Sequence, residues 1–213
     1  MAPDATDATG ETDRGQMALG RHRDWRRLAT GSSLRGRLLV ATPLLGDPNF
    51  ERTVILLLEH TEQGAVGVVL NRPSAVEFVD PLPDWYGFAA YPPVVFVGGP
   101  VSHGSAIGVA RAANPQTTDG FTPVTGGLGT VDLSLDPDDV GVGIEEVRVF
   151  SGYAGWGEGQ LEEEIDSGAW WVVASERDDA MCAKPEGLWK FVLQRQGDAL
   201  SLYANFPLDP SLN

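Results

Sequence analysis

The residues best placed to do chemistry lie in one stretch, GYAGWGEGQLEEEI, which runs from Gly152 to Ile165. It combines glycines, Trp156, Gln160 and three consecutive glutamates, Glu162, Glu163 and Glu164. Acid–base catalysis by carboxylates needs two of them to converge on one point. Consecutive residues on a helix fan out instead, because neighbours three or four apart share a face. The pattern predicts a strand-to-helix corner with Gly159 as N-cap and Glu162 reaching back to the cap N–H. Leu161 and Ile165 then share the inward face, Gly168 closes the helix in a left-handed position, and Trp156 fills the space that Gly155 and Gly157 leave. A ligand role stays open beside this structural one, because tight glycine corners expose backbone N–H groups. Trp156, Gln160 and Glu162 are its candidate residues.

A second candidate is His60. The run Val54–Leu58 is apolar on both strand faces, and Glu59 and His60 emerge where it leaves the core. Simple alternation puts Val54, Leu56, Leu58 and His60 on one face. Histidine titrates near neutrality and strand ends often carry ligand-contacting groups, so His60 is expected either to bond the following turn or to line a pocket with Asn71 or the Gln160 corner. Gly98 and Gly99, in VGGPVSHG, form either a plain tight turn or an anion-binding nest. Cys182 stands beside Asp178 and Asp179, whose charge disfavours a thiolate, so it reads as a packed thiol. The three histidines lack metal-ligand spacing, and Lys184 and Lys190 lie outside any P-loop frame. GGLGTVD lacks the third glycine and following helix of a dinucleotide fingerprint, and DPDDVG lacks the calcium-loop glutamate. No cofactor, no metal and no complete catalytic set is expected.

The elements around these residues are mostly strands. RLLVA (37–41), TVILLLEH (53–60) and GAVGVVL (64–70) have strand length and β-branched or leucine-rich texture, the last two joined as a hairpin by TEQG. Pro73 stops the third. Further strands are expected at 94–97, 105–111, 130–135, 145–153 and 170–174, with Val147 and Val149 on one face of the fourth and Arg148 and Phe150 on the other. A short helix is expected near Trp85 and a polar loop over 114–129. PEGLWKFVLQRQG (185–197) reads as a helix opened by proline and closed by glycine, and LSLYANF (200–206) as a last extended segment. Strands first and helices late favour an α+β fold over regular βαβ alternation.

Length suits one domain, 34–213, preceded by a tail, 1–33, whose Ala, Thr, Asp and Gly content cannot offset ordering entropy. The tail balances five acids with five arginines, so residues 34–213 hold 25 acids against 10 bases and carry the whole net charge of −15. Nucleic-acid binding relies on Lys and Arg displacing counterions, so a DNA partner is disfavoured. The first 33 residues lack an apolar signal core, and the longest apolar run falls far short of the ~20 residues that span a bilayer. One cysteine excludes an intrachain disulfide. A cytoplasmic protein without a membrane partner is expected, as a monomer or weak homodimer.

GRLLVATPLLGDPNFERTVILLLEHTEQGAVGVVLNRP (36–73), VFVGGPV (95–101) and GYAGWGEGQLEEEI with AWWVV (152–173) resemble, in order, the three hallmark segments of the AlgH/YqgE family. The resemblance covers about residues 34–206. It implies a compact bacterial α+β fold, a flattened β-barrel-like mixed sheet structure with flanking helices. Some members are labelled transcriptional regulators, although this chain shows no DNA-binding motif. It also departs from the family where IGVARAA (107–113) replaces a strand bearing a leucine-histidine pair, so no role for that histidine carries over. The resulting expectation is a non-enzymatic binding or regulatory protein with an unknown protein or small-molecule partner. The alternatives are an enzyme with a site near His60 and the Gln160–Glu162 corner, and a transcriptional regulator.

Overall fold

The computed structural model describes residues 33–140 and 142–206. The expected tail therefore lies, apart from Ser33, outside the described residues. The sheet is built from β1 (Arg37–Ala41), β2 (Val54–Thr61), β3 (Gly64–Val69), β4 (Pro73–Glu77) and β5 (Val94–Val97). It continues with β6 (Val101–Ala112), β7 (Phe121–Thr125), β8 (Leu128–Val131), β9 (Ile144–Gly157) and β10 (Trp170–Ala174). Strand order is β10-β1-β2-β3-β9-β6-β8-β7, with antiparallel neighbours throughout. β5 lies parallel beside β9 and carries β4 on its outer side, so the sheet is mixed. It curls into a half-barrel flanked by α1 (Gln160–Asp166), α2 (Leu188–Arg195) and α3 (Asp198–Tyr203). The α+β expectation holds.

One face of β1, β2 and β3 presents Leu38, Leu56 and Val68 to Leu188, Val192 and Leu193 of α2. A second cluster joins Val147 and Val149 to Phe121 and to Trp85 of the 3-10 turn Pro83–Phe88. Phe150 belongs to the first cluster, so the expected division of faces along β9 is observed.

The hairpin contains an irregularity that matters for the site. Leu57 pairs with Gly67 but Glu59 pairs with Val66, so Leu58 is an extra residue opposite the β3 backbone. Such a bulge resets the alternation. His60 pairs with Ala65, and Ala65 pairs with Trp156 of β9. His60 therefore sits on the face of Ile55, Leu57 and Trp156, opposite the face expected from simple alternation with Leu58.

Four further expectations change. GYAGWG is not a turn: Ala154–Gly157 pair residue by residue with Gly67–Gly64, and the corner is confined to Glu158 and Gly159. The polar segment 114–129 contains all of β7, whose Pro123 is tolerated because β7 is an edge strand. β8 ends at Val131 because the Asp132 carboxylate accepts the Ser134 N–H and hydroxyl, which turns the chain and holds the carboxyl below its ordinary pKa. Segment 200–206 is largely helical, since Leu200 and Ala204 are buried four residues apart and Tyr203 packs on Trp171.

Candidate functional site

The corner after β9 is built by local backbone rules. Gly159 has φ 72°, a left-handed conformation open to glycine, and launches α1 without a side-chain cap. At the far end Gly168 N–H bonds the Ile165 carbonyl and Ala169 N–H the Glu164 carbonyl, the paired bonds that end helices at a left-handed glycine. Gly159 and Gly168 thus act as expected. Glu162 does not reach back to the cap.

The three glutamates of α1 do fan out. Glu162 Oε1 lies 2.8 Å from His60 Nε2. Glu163 is exposed. Glu164 turns the opposite way and accepts three hydrogen bonds. Trp156 Nε1 and Trp170 Nε1 both donate to its Oε2, at 2.9 and 2.8 Å, and Gln160 Nε2 donates to Oε1 at 3.0 Å. Gln160 Oε1 in turn accepts the Gly157 N–H at 3.1 Å. The two indoles meet edge to face at 6.1 Å, and Phe50 meets Trp170 likewise at 5.5 Å. Both tryptophans are buried, Trp156 to 7% residual exposure and Trp170 to 3%.

This network forms one wall of a cleft of about 470 Å³. The opposite wall is the loop after β1, through Leu44, Leu45, Asp47 and Phe50, and Pro100 closes one side. The volume falls in the range of small-molecule sites, ~300–1,000 Å³, and the lining mixes aromatic and aliphatic side chains with fixed polar groups in similar measure. A smaller cleft of about 290 Å³ lies on the other side of the same loop. Its Arg52 stacks 4.9 Å from the Trp189 ring centroid and donates to the Phe206 carbonyl.

The sequence candidates divide accordingly. Trp156 and Gln160 line the larger cleft. Glu162 and His60 meet each other beside it, and His60 Nδ1 also accepts the Leu34 N–H at 2.9 Å. A ring nitrogen that accepts carries no proton, so the proton sits on Nε2 and points at Glu162. Asn71 is at the other end of β2, about 20 Å from His60 at strand rise. Its Oδ1 accepts the Val54 N–H and its Nδ2 donates to the Arg52 carbonyl. Asn71→Ala is expected to cost ~1–3 kcal/mol, the range for a buried donor left unpaired, measured as a lower denaturation midpoint with an unchanged slope.

Gly98 and Gly99 are a packing seam. A Cβ on either would fall inside contact distance of the β9 backbone at Gly152 and Tyr153. The Gly98 N–H is taken by the Ser151 carbonyl. Among the described residues no group of three or more His, Cys, Asp or Glu side chains could hold a metal ion.

Sequence reasoning missed Glu164 and Trp170, and the loop that faces them. A helical wheel did carry a partial signal, since Gln160 and Glu164 are four apart and share a face.

A curled half-barrel whose strands β9 and β10 and two-turn helix α1 enclose an aromatic, carboxylate-bearing cleft is the class of protein defined here. The AlgH-like family model (DUF179) matches residues 38–201, and the chain belongs to that family. A UPF0301 protein of Streptomyces coelicolor is 53% identical over 186 residues, covering 85% of this chain and 96% of that one. A UPF0301 protein of Mycobacterium tuberculosis is 41% identical, covering 84% and 90%. The crystal structure of a Corynebacterium diphtheriae protein superposes with TM-score 0.77 at 31% identity, covering 86% of this chain and 98% of that one. The solution structure of the AlgH protein from Pseudomonas aeruginosa gives TM-score 0.61 at 29% identity, covering 85% and 98%. These are families and proteins without an assigned molecular function.

Proposed function

We propose that the chain is a non-enzymatic binding or regulatory protein of the cytoplasm, and that the cleft between α1 and the loop after β1 holds its small-molecule ligand. The observation that carries this reading is the fixed state of the cleft wall. Three neutral donors lock the Glu164 carboxylate; two of them are buried indoles, and the third, Gln160, is itself held by the Gly157 N–H. Preorganised polar groups held by buried aromatic rings spare a ligand the cost of ordering its site. The expected experiment is native mass spectrometry of protein purified gently from its own cells, comparing wild type with Ala169→Phe, which fills the cleft. A small molecule retained by wild type and lost from a folded A169F supports the reading. Equal retention by both would place the ligand elsewhere.

The His60–Glu162 contact favours an enzymatic reading in outline only. Leu34 occupies the acceptor nitrogen and Glu162 takes the proton, so the ring must break one of these bonds before it can act as base or acid.

Nucleic acid is an unsuitable partner. Of the ten bases after the tail, Arg111, Arg177 and Arg195 pair with carboxylates and Arg148 is buried. No submicromolar binding to duplex DNA is expected at physiological salt. Fluorescence anisotropy checks this; tight binding that weakens steeply with salt would overturn it.

A further inference from the structure

We infer that the ligand of the cleft is a small organic cation, a protonated amine on an apolar body. This rests on the binding reading above and adds the ligand's chemistry. The three groups that hold Glu164 are all neutral: two indole N–H groups and one amide. Hydrogen bonds from neutral donors fix the position of a carboxylate without cancelling its charge. Glu164 forms no ion pair among the described residues. The two oxygens offer about four lone-pair directions, of which three are used, so one remains for a donor from the cleft.

The rest of the lining has the same bias. Asp47 stands on the facing loop, where its Oδ1 accepts the Asn49 N–H at 2.8 Å and the Asn49 side-chain amide at 3.0 Å, again both neutral. Among the described residues no Lys, Arg or His lines the cleft. Two uncompensated carboxylates in a partly desolvated cleft attract a cation strongly, because their fields are less screened there than in bulk water. They repel an anion for the same reason. The apolar remainder, Leu44, Leu45, Phe50 and Pro100 with the two indoles, requires that the cation be carried on a hydrocarbon or aromatic body. A fully hydrated metal ion would leave those walls uncovered.

The test uses a matched pair of probes with one body and opposite charge, phenethylammonium and 3-phenylpropionate, with 2-phenylethanol as the neutral member. Each is titrated into the full chain while the indole N–H resonances of Trp156 and Trp170 are followed by proton–nitrogen correlation. The expected result is that phenethylammonium shifts both signals and binds at least about tenfold more tightly than the carboxylate, with the alcohol between them. Glu164→Gln keeps an acceptor for the indoles and removes the charge, so it should cut the preference several-fold. Asp47→Asn, in the loop after β1 and away from the helix α1 network, should cut it independently if Glu164→Gln proves unfolded. Equal affinity for the ammonium and the carboxylate, or a preference that survives both substitutions, overturns the cation inference and leaves the cleft as a site. No shift of Trp156 or Trp170 with any of the three probes overturns the cation inference and counts against the cleft.

Discussion

Replacing Trp156 by alanine is expected to destabilise the fold by ~3–5 kcal/mol, the range for large-to-small changes in a packed core. The indole is buried between Gly155 and Gly157, which have no side chains to collapse into the space. Its ring supports Trp170 edge to face, and its N–H is one of two that hold Glu164 Oε2. The cavity and the lost donor act together, so the cost should exceed that of Trp156→Phe, which keeps one aromatic ring and leaves a smaller cavity with the same lost hydrogen bond. Urea denaturation of both variants checks this. A midpoint for Trp156→Ala equal to wild type would show that the ring contributes little to the corner.

Arg148→Ala is expected to cost about as much, ~3–5 kcal/mol, because removing one member of a buried polar set strands the others. The guanidinium is 1% exposed and meets no carboxylate within salt-bridge distance among the described residues. Nη1 donates to the Ala180 and Cys182 carbonyls at 3.0 and 3.1 Å, and Nη2 to the Tyr91 carbonyl at 2.6 Å. The charge lies 4.3 Å from the Phe96 ring centroid. Burial pulls the Arg148 pKa down to about 10, with Cys182 and Glu146 offsetting part of the effect, so the group remains protonated at neutral pH. One side chain thus ties β9 to the segments around Tyr91 and Cys182. Arg148→Lys should recover only part of the loss, since an ammonium lacks the planar fork that reaches three carbonyls. A wild-type midpoint for Arg148→Ala would contradict this role.

These two residues show what a sequence exposes and what it hides. Trp156 was legible because its flanking glycines leave a gap that something must fill. Arg148 was not, because an alternating strand places an arginine on a face without saying whether water or Phe96 covers it. The helix after Gly159 and its closure at Gly168 followed from capping chemistry, which is local. The position of His60 did not, since a single bulge at Leu58 moved it to the other face, and a bulge is fixed by the pairing of two strands. Glu164 and Trp170 escaped for the same reason. Trp170 reaches the cleft because β10 pairs with β1 and β1 with β2, which aligns Trp170, Ile55 and Trp156 on one face across strands distant in sequence. Segment 200–206 failed differently: LSLY alternates like a strand, but Leu200, Tyr203 and Ala204 also fit helical spacing, and docking on Trp171 decided between them.

The central claim is that ligands enter at Trp156 and Trp170. A fragment library screened by proton–nitrogen correlation tests it most directly, because each tryptophan indole reports on its own surroundings. Trp189 lines the smaller cleft, and Trp85 packs with Val147 and Val149 in the second core cluster. Binding fragments are expected to shift the Trp156 and Trp170 indole signals and leave Trp85 and Trp189 unchanged. Fragments that bind and move only Trp189 or Trp85 would contradict it.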